Sequence, residues 1–208
     1  MFIREFTPVR CAAAILAFAL ALQAGSVYAD GNVQPATAKP SGYTLADMAE
    51  ALAYFSTSGN DLTHYPDTPF QILYVDRSTG TNTFTVKTGT RFFVPLAYVD
   101  DSPPILGDFP ADSSTVEDYF FGADEMGGHD FAIEVDGQAM PIGPEYVAGP
   151  VLTPGLLDGG GSHFIQLGAF LTPLSKGTHT VTIRGGFDGA AIGGFDFTFE
   201  ISYTVIVK

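Results

Sequence analysis

The sequence predicts an all-β protein, an antiparallel β-sandwich of jelly-roll type with one short N-terminal helix. Three observations lead to this prediction. Apolar and polar residues alternate with a period of two after about residue 68. Turns rich in Gly, Pro and Asp separate the alternating segments, and only one segment has helical periodicity. No internal repeat of fixed period occurs, which argues against a solenoid or a propeller.

The first 29 residues have the pattern of a secretory signal peptide. Arg4 and Arg10 supply the positive charge, residues 11–24 are apolar, and Ala29 is the small residue before the expected cut. The apolar run is shorter than the ~20 residues that a membrane span requires. We therefore expect a secreted or periplasmic protein with no membrane span after cleavage.

The next segments predict a flexible leader and a helix. Residues 30–42 are polar with Pro and Gly, which is typical of a flexible leader. Residues 43–55 form the predicted helix, in which Thr44 and Asp47 resemble a capping box. Four apolar residues recur on one helical face: Leu45, Met48, Leu52 and Phe55. We expect residues 43–208 to form a single sandwich domain that begins with this helix.

Alternation continues to the end of the chain. The predicted strands lie within residues 70–75, 83–87, 91–99, 131–136, 163–170, 180–184 and 195–207. The last segment has the clearest pattern, with seven apolar residues on one face: Phe195, Phe197, Phe199, Ile201, Tyr203, Val205 and Val207. Such a strand packs one face on the core and leaves the other to water.

Composition excludes several classes of protein. The chain is 46% apolar and 13% aromatic, which excludes an intrinsically disordered protein. It has 23 acidic and 9 basic residues, so its net charge of −14 argues against a nucleic-acid partner. The chain contains 1 cysteine, which falls within the predicted signal peptide. An internal disulfide framework and a Cys-rich zinc site are therefore excluded.

Acidic residues crowd the middle of the chain. Thirteen Asp or Glu and no Lys or Arg lie between Phe92 and Ser175. Calcium prefers six to eight oxygen ligands, which loops of a β-sandwich can supply. The candidate calcium ligands are Asp100, Asp101, Asp108, Asp124, Glu125 and Asp130. The alternative interpretation is a solvated acidic surface that keeps the protein soluble.

Three other sets of side chains are less favoured candidates for a functional site. Asp100 with Asp101, or Glu117 with Asp118, could pair as in glycoside hydrolases, but neighbours on a strand point to opposite faces. Of the four histidines, His163 and His179 could meet across neighbouring strands, although the phase of His179 favours a place at the core edge. Candidate sugar-stacking aromatics lie near predicted turns: Tyr65, Tyr119, Phe120 and Phe121.

The C-terminal half resembles a group of uncharacterised secreted β-rich proteins. The shared features are the run 133–137 (IEVDG), Tyr146, the pair 158–159 (DG) and the run 173–183 (PLSKGTHTVTI). The resemblance covers about 80 residues and implies an extracellular β-rich fold. It implies no activity, so no site residues follow from it.

The sequence thus favours a secreted, non-catalytic binding or surface-associated module, with calcium as a candidate cofactor. A polysaccharide or a cell-surface component is the candidate partner. The alternatives are a polysaccharide-directed hydrolase that uses paired carboxylates, and a structural or assembly component. Exposed aromatics on a sheet face would favour binding, and an uncovered edge strand would favour assembly.

Overall fold

The computed structural model describes residues 32–76 and 79–208. The predicted signal peptide, 1–29, lies outside these residues. Within them the strands are β1 Phe70–Ile72, β2 Thr83–Val86, β3 Arg91–Asp100, β4 Gly128–Val135, β5 Gln138–Pro141, β6 Val147–Leu152, β7 His163–Leu171, β8 Gly177–Phe187 and β9 Phe197–Val207. The helices are α1 Leu45–Thr57 and α2 Val116–Phe121. Neither has the length and apolar character that a membrane span needs.

The strands form two sheets, as the prediction of a β-sandwich requires. The four-stranded sheet has the order β1-β3-β7-β6, and the five-stranded sheet has the order β2-β9-β8-β4-β5. The expectation of wholly antiparallel pairing is wrong, because β1 pairs parallel to β3 and β2 pairs parallel to β9. The reason is that β1, β2 and β3 alternate between the sheets, so these sheet neighbours are not joined by hairpins.

Helix α1 covers the four-stranded sheet. Its N-terminus is fixed by the predicted capping box, in which the Asp47 N–H donates to Thr44 Oγ1 at 3.1 Å and the Thr44 N–H donates to Asp47 Oδ2 at 2.7 Å. The helix runs from 45 to 57, whereas the pattern predicted 43–55. It packs on β6 and β7. Residues 164–171 of β7 are buried on both faces, because α1 covers one face and the five-stranded sheet covers the other.

Part of the segment expected to be a flexible leader pairs with the sheet. Val33 is buried and forms a bridge with Leu171 at the end of β7. The Gln34 N–H donates to the Phe170 carbonyl at 2.8 Å, and the Thr172 N–H donates to the Asn32 carbonyl at 2.7 Å. These backbone hydrogen bonds fix residues 32–34 against β7.

The burial of the apolar face of β9 changes along the strand. Tyr203, Val205 and Val207 are buried, as the alternation predicted. Phe197 is 51% exposed, and Phe195, which lies before the strand begins, is 69% exposed. Strand β2 pairs with β9 only over residues 204–207, so we call residues 203–207 the closed end and residues 197–202 the open end.

Candidate ligand-binding cleft

A cleft of about 530 Å³ lies between the two sheets at the open end of β9, and we call it the intersheet cleft. The five-stranded sheet contributes apolar and aromatic walls: Ile183, Phe187, Phe197, Phe199, Ile201 and Tyr203. The opposite wall comes mainly from residues 73–75 and 95–98. The volume falls within the ~300–1,000 Å³ of small-molecule sites, and the lining is as apolar as such sites usually are.

The intersheet cleft exists because two strands are covered over only part of their length. Strand β1 pairs with β3 only at residues 91–93, and β2 pairs with β9 only at residues 204–207. After Phe93 on β3 and before Thr204 on β9, no described strand pairs with that edge of the sheet. Pro95 has no N–H to donate to a ladder, and the register of β3 shifts between Pro95 and Ala97. These features end the pairing beside the cleft and leave it open.

Gln166 is the polar residue that stands out in this lining. It is 2% exposed, and its Nε2 donates to the Ala97 carbonyl at 2.8 Å and to the Leu167 carbonyl at 3.0 Å. Its Oε1 is buried and has no hydrogen-bond partner among the described residues. Turning the amide over would place Oε1 against the same two carbonyl oxygens, so the donor bonds fix its orientation. Gln166 pairs with Tyr98, whose hydroxyl donates to the Ser56 carbonyl of α1, so the strand register places the Gln166 side chain on the α1 face of β7.

Tyr203 also lines the cleft. Its side chain is 3% exposed, and its ring packs edge-on against Phe84. Burial raises the pKa of the Tyr203 hydroxyl, so this group stays protonated at neutral pH. A protonated hydroxyl can both donate and accept a hydrogen bond.

A second cavity of about 390 Å³ shares Tyr98 and Phe187 with the intersheet cleft. We call it the acidic cavity, because Asp100 and Asp158 line it. Ser102 joins the two carboxyl groups: its N–H donates to Asp100 Oδ1 at 2.8 Å, and its Oγ donates to Asp158 Oδ1 at 3.0 Å. Burial, and then the nearby Asp100 carboxylate, raise the pKa of Asp158.

Asp101 lies beside this pair but has a different set of partners. Its Oδ1 accepts the Ser162 N–H at 2.6 Å and the His163 N–H at 2.8 Å, and its Oδ2 lies 2.7 Å from His163 Nδ1. Burial raises the pKa of Asp101, but the hydrogen bonds from His163 and Ser162 together outweigh burial and leave it below its usual value. Asp101 therefore ties the end of β3 to the start of β7. The carboxyl neighbour of Asp100 is Asp158, and the strand argument against a pair of Asp100 with Asp101 agrees with this arrangement.

The candidate calcium ligands do not share one site, because each contacts different partners. Glu125 Oε2 accepts the Asp108 N–H at 3.0 Å, Asp130 Oδ2 lies 3.2 Å from His129 Nδ1, and Asp124 is exposed after α2. Asp100 lines the acidic cavity, and Asp101 binds His163. In the described ranges, no group of three or more His, Cys, Asp or Glu is placed to hold a metal ion.

The two histidines whose spacing allowed them to meet, His163 and His179, lie in different sheets. His163 begins β7 in one sheet, whereas His179 lies on β8 in the other sheet. His179 Nδ1 lies 2.7 Å from Asp136 Oδ2, and His179 Nε2 lies 2.8 Å from the Ser175 carbonyl oxygen. The side chain of His179 is 12% exposed, which agrees with its predicted place at the core edge.

The candidate sugar-stacking aromatics are not on the open surface. Tyr119 and Phe120 are buried, and Tyr65 and Phe121 are half-buried. Burial, and then the carboxylates of Glu125 and Asp100, raise the pKa of Tyr119 to about 12. The exposed aromatics of the described ranges are Tyr54 of α1 and two residues that the alternation had assigned to the core face, Phe195 and Phe197.

Comparisons of the chain with family models, with curated proteins and with solved structures found no match. The fold and the cleft therefore define the molecule by themselves. It is a mostly β protein of two sheets whose interior opens at one end into an apolar cleft.

Proposed function

We propose that the protein is a non-catalytic binding module that acts in the periplasm or after export, and that it holds its ligand in the intersheet cleft. The observation that carries this proposal is the apolar and aromatic lining of the intersheet cleft, in which Phe197 is 51% exposed. Small-molecule sites combine such walls with a few polar groups that orient the ligand. The predicted signal peptide and the resemblance to secreted proteins support the location.

Binding to the intersheet cleft is tested with N-phenyl-1-naphthylamine, a neutral dye whose fluorescence rises in apolar surroundings. We expect saturable binding by residues 30–208. Ile201→Trp should weaken binding at least tenfold, because Ile201 lines the cleft and the larger ring would fill part of it.

Ile206→Trp is the matched control for this experiment. Ile206 is also a half-buried isoleucine of β9, but it points to the opposite face of the strand and does not line the cleft. Dye binding should therefore stay within about twofold of the unaltered protein. Equal loss of binding in both variants, or no binding by the unaltered protein, would refute the proposed site.

The location is tested separately by expressing the full chain, 1–208, in a Gram-negative host. We expect the protein recovered from the periplasm or medium to begin at Asp30, because the predicted cut follows Ala29. Retention of residues 1–29 by a protein that stays in the cytoplasm would contradict this part of the proposal.

Hydrolysis of a polymer is a second candidate function, favoured by the Asp100–Asp158 pair in the acidic cavity. Glycoside hydrolases hold their two carboxyl groups about 5 Å or more apart, whereas these two both bind Ser102. A screen of soluble polysaccharides for released reducing ends tests this function. Turnover that Asp158→Asn abolishes would favour a hydrolase over a binding module.

A further inference from the structure

We infer that the open end of β9 is the docking edge for an extended, basic segment of another protein, which adds to the five-stranded sheet as a strand and places alternate apolar side chains in the intersheet cleft. This inference rests on the proposed binding function and names its ligand. It depends on three features of the open end: the backbone groups at its edge, the exposed apolar face beside them and the excess of negative charge.

The backbone of the open end directs hydrogen-bonding groups to a side where no described strand lies. The Thr204 N–H donates to the Asn82 carbonyl at 3.0 Å, so residue 204 directs its backbone groups towards β2. Backbone direction alternates along a strand, and Thr198 and Glu200 therefore direct their N–H and carbonyl groups to the same side. Both residues are exposed, and the pairing with β2 starts only where Thr83 lies opposite Thr204. Such an edge is a template for another strand.

Asn82 limits the length of this edge. Its side-chain amide donates to the Ser202 carbonyl, so contacts from the chain itself begin at residue 202. The edge that remains beside residues 197–201 is about five residues long, which is the usual length of a strand in a sheet. A short extended segment therefore fits there without displacing β2.

The cleft face of the open end offers apolar contacts to an added strand. Phe197 is 51% exposed and Phe199 is half-buried, and their ring centroids lie 6.4 Å apart. Residues directly opposite on neighbouring strands share a face of the sheet, so alternate side chains of an added strand would lie beside these rings and enter the intersheet cleft. In strand addition, main-chain hydrogen bonds supply affinity and alternate side chains supply specificity.

Charge on the outer face favours a basic segment. Glu200 is exposed, and the side chains of Asp196 and Asp130 are 70% and 89% exposed. Arg184 lies opposite Glu200 on β8, but its guanidinium is 3.5 Å from Glu134. These side chains leave an excess of negative charge beside the edge. Lys or Arg at the outward positions of an added strand would complement it.

The same charge disfavours a second copy of the chain as the occupant. Because the open edge is only about five residues long, two copies paired through it would bring their Glu200 side chains to opposite or diagonal positions. Like charges at such positions are destabilising, and each chain has a net charge of −14. We therefore assign the edge to a different protein.

The charge preference is tested by fluorescence anisotropy with two labelled peptides, KVKFKVK and EVEFEVE, and residues 30–208 of the protein. Salt at about 0.15 M screens long-range attraction. We expect saturable binding of the basic peptide, at least tenfold tighter than that of the acidic peptide. Equal affinities, or a preference for the acidic peptide, would overturn the basic character of the ligand.

Strand addition is tested by N-methylation of the basic peptide. One version has methyl groups on the amide nitrogens of its two inner lysines, and the other has them on its two valines. A strand presents the N–H groups of alternate residues to one side, so one version loses its hydrogen bonds to β9 and the other retains them. We expect one version to bind at least tenfold more weakly and the other within about threefold of the parent peptide. Equal binding by the two versions would overturn strand addition.

Glu200→Lys locates the peptide on the protein. It should weaken binding of the basic peptide about fivefold, because it reverses a charge at the edge. Glu50→Lys is the matched control, since Glu50 is also exposed but lies on α1, and its binding should stay within about twofold. Equal losses would mean that binding follows net charge and would overturn the assignment to β9. If Glu200→Lys does not fold, the N-methylated peptides decide alone.

These outcomes separate the ligand from the binding function. If the dye binds and Ile201→Trp blocks it, but no peptide binds, the cleft is a binding site and the inferred ligand is wrong. If neither the dye nor any peptide binds, the proposed function itself fails. Peptide binding without dye binding would support the edge and overturn the role of the cleft. A dimer in light scattering that the basic peptide separates would assign the edge to a second copy and overturn the inference.

Discussion

The two ends of β9 have the same alternating sequence pattern but different surroundings. At the closed end, β2 lies beside the strand and Val205 is completely buried. At the open end, no described strand lies on that side, and Phe197 is half exposed. The difference teaches that alternation determines which side chains lie on the same face of a strand. Their burial depends on how far the neighbouring strands extend.

The largest expected effect comes from placing the same charge at each end of β9. Val205→Asp should reduce the free energy of unfolding by at least about 3 kcal/mol, because an unpaired carboxylate would lie in the core. Phe197→Asp should change it by less than about 1 kcal/mol, because position 197 reaches water. Urea denaturation measures both values. Comparable losses would mean that the open end is covered in solution.

Asp101→Asn should cost about 1–2 kcal/mol at pH 7. The carboxylate accepts two backbone N–H groups and contacts the His163 ring, and bonds to a charged acceptor are stronger than neutral ones. Urea denaturation gives the value. No loss would show that the link between β3 and β7 does not depend on this charge.

Asp158→Asn should stabilise the protein at pH 7, in contrast to Asp101→Asn. The folded-state pKa of Asp158 is raised, so its ionised form lowers stability as pH rises through that pKa. An asparagine avoids this cost and can still accept from Ser102. The gain in melting temperature should disappear near pH 3, below the unfolded-state pKa of about 3.9. A gain that persists at pH 3 would point to a cause other than ionisation.

The closed end should show a pH dependence that comes from His179. The hydrogen bond to Asp136 raises the pKa of His179 although burial opposes it, so the stabilisation is complete below about pH 6.5 and is lost as pH rises through the folded-state pKa. His179→Gln should flatten the decline in melting temperature between pH 6 and 8. His129→Gln is the control and should have less effect, because the Asp130 partner of His129 is almost fully exposed.

Calcium should have the smallest effect. Millimolar calcium after EDTA treatment should raise the melting temperature by less than about one degree, because the six candidate ligands have separate surroundings. A clear rise would contradict this expectation and restore the calcium interpretation of residues 100–130.

Much of the fold could be predicted from periodicity. The α1 capping box and the alternation in β9 are local patterns, and local geometry decides them. The parallel pairing of β1 with β3 could not be predicted, because it depends on which sheet each strand enters. The exposure of Phe197 could not be predicted either, because it depends on where β2 ends.

The candidate site was less predictable than the fold. Asp158 reaches Asp100 from a loop that is distant in sequence, so no local pattern could indicate that these two carboxyl groups lie together. Gln166 did leave a signal in the sequence: it is the lone amide within the apolar run of β7. A polar residue in a strand buried on both faces requires partners, and only the structure reveals that one of its atoms has none.

The pairing of β2 with β9 also has a kinetic consequence. The Thr88 N–H donates to the Lys208 carbonyl at 3.0 Å, and these residues are 120 positions apart. Closing so long a loop costs conformational entropy before any contact compensates for it, so folding through this pair should be slow. The five-stranded sheet cannot be completed until β9 has left the ribosome. Until then, β2 remains a short strand without its partner.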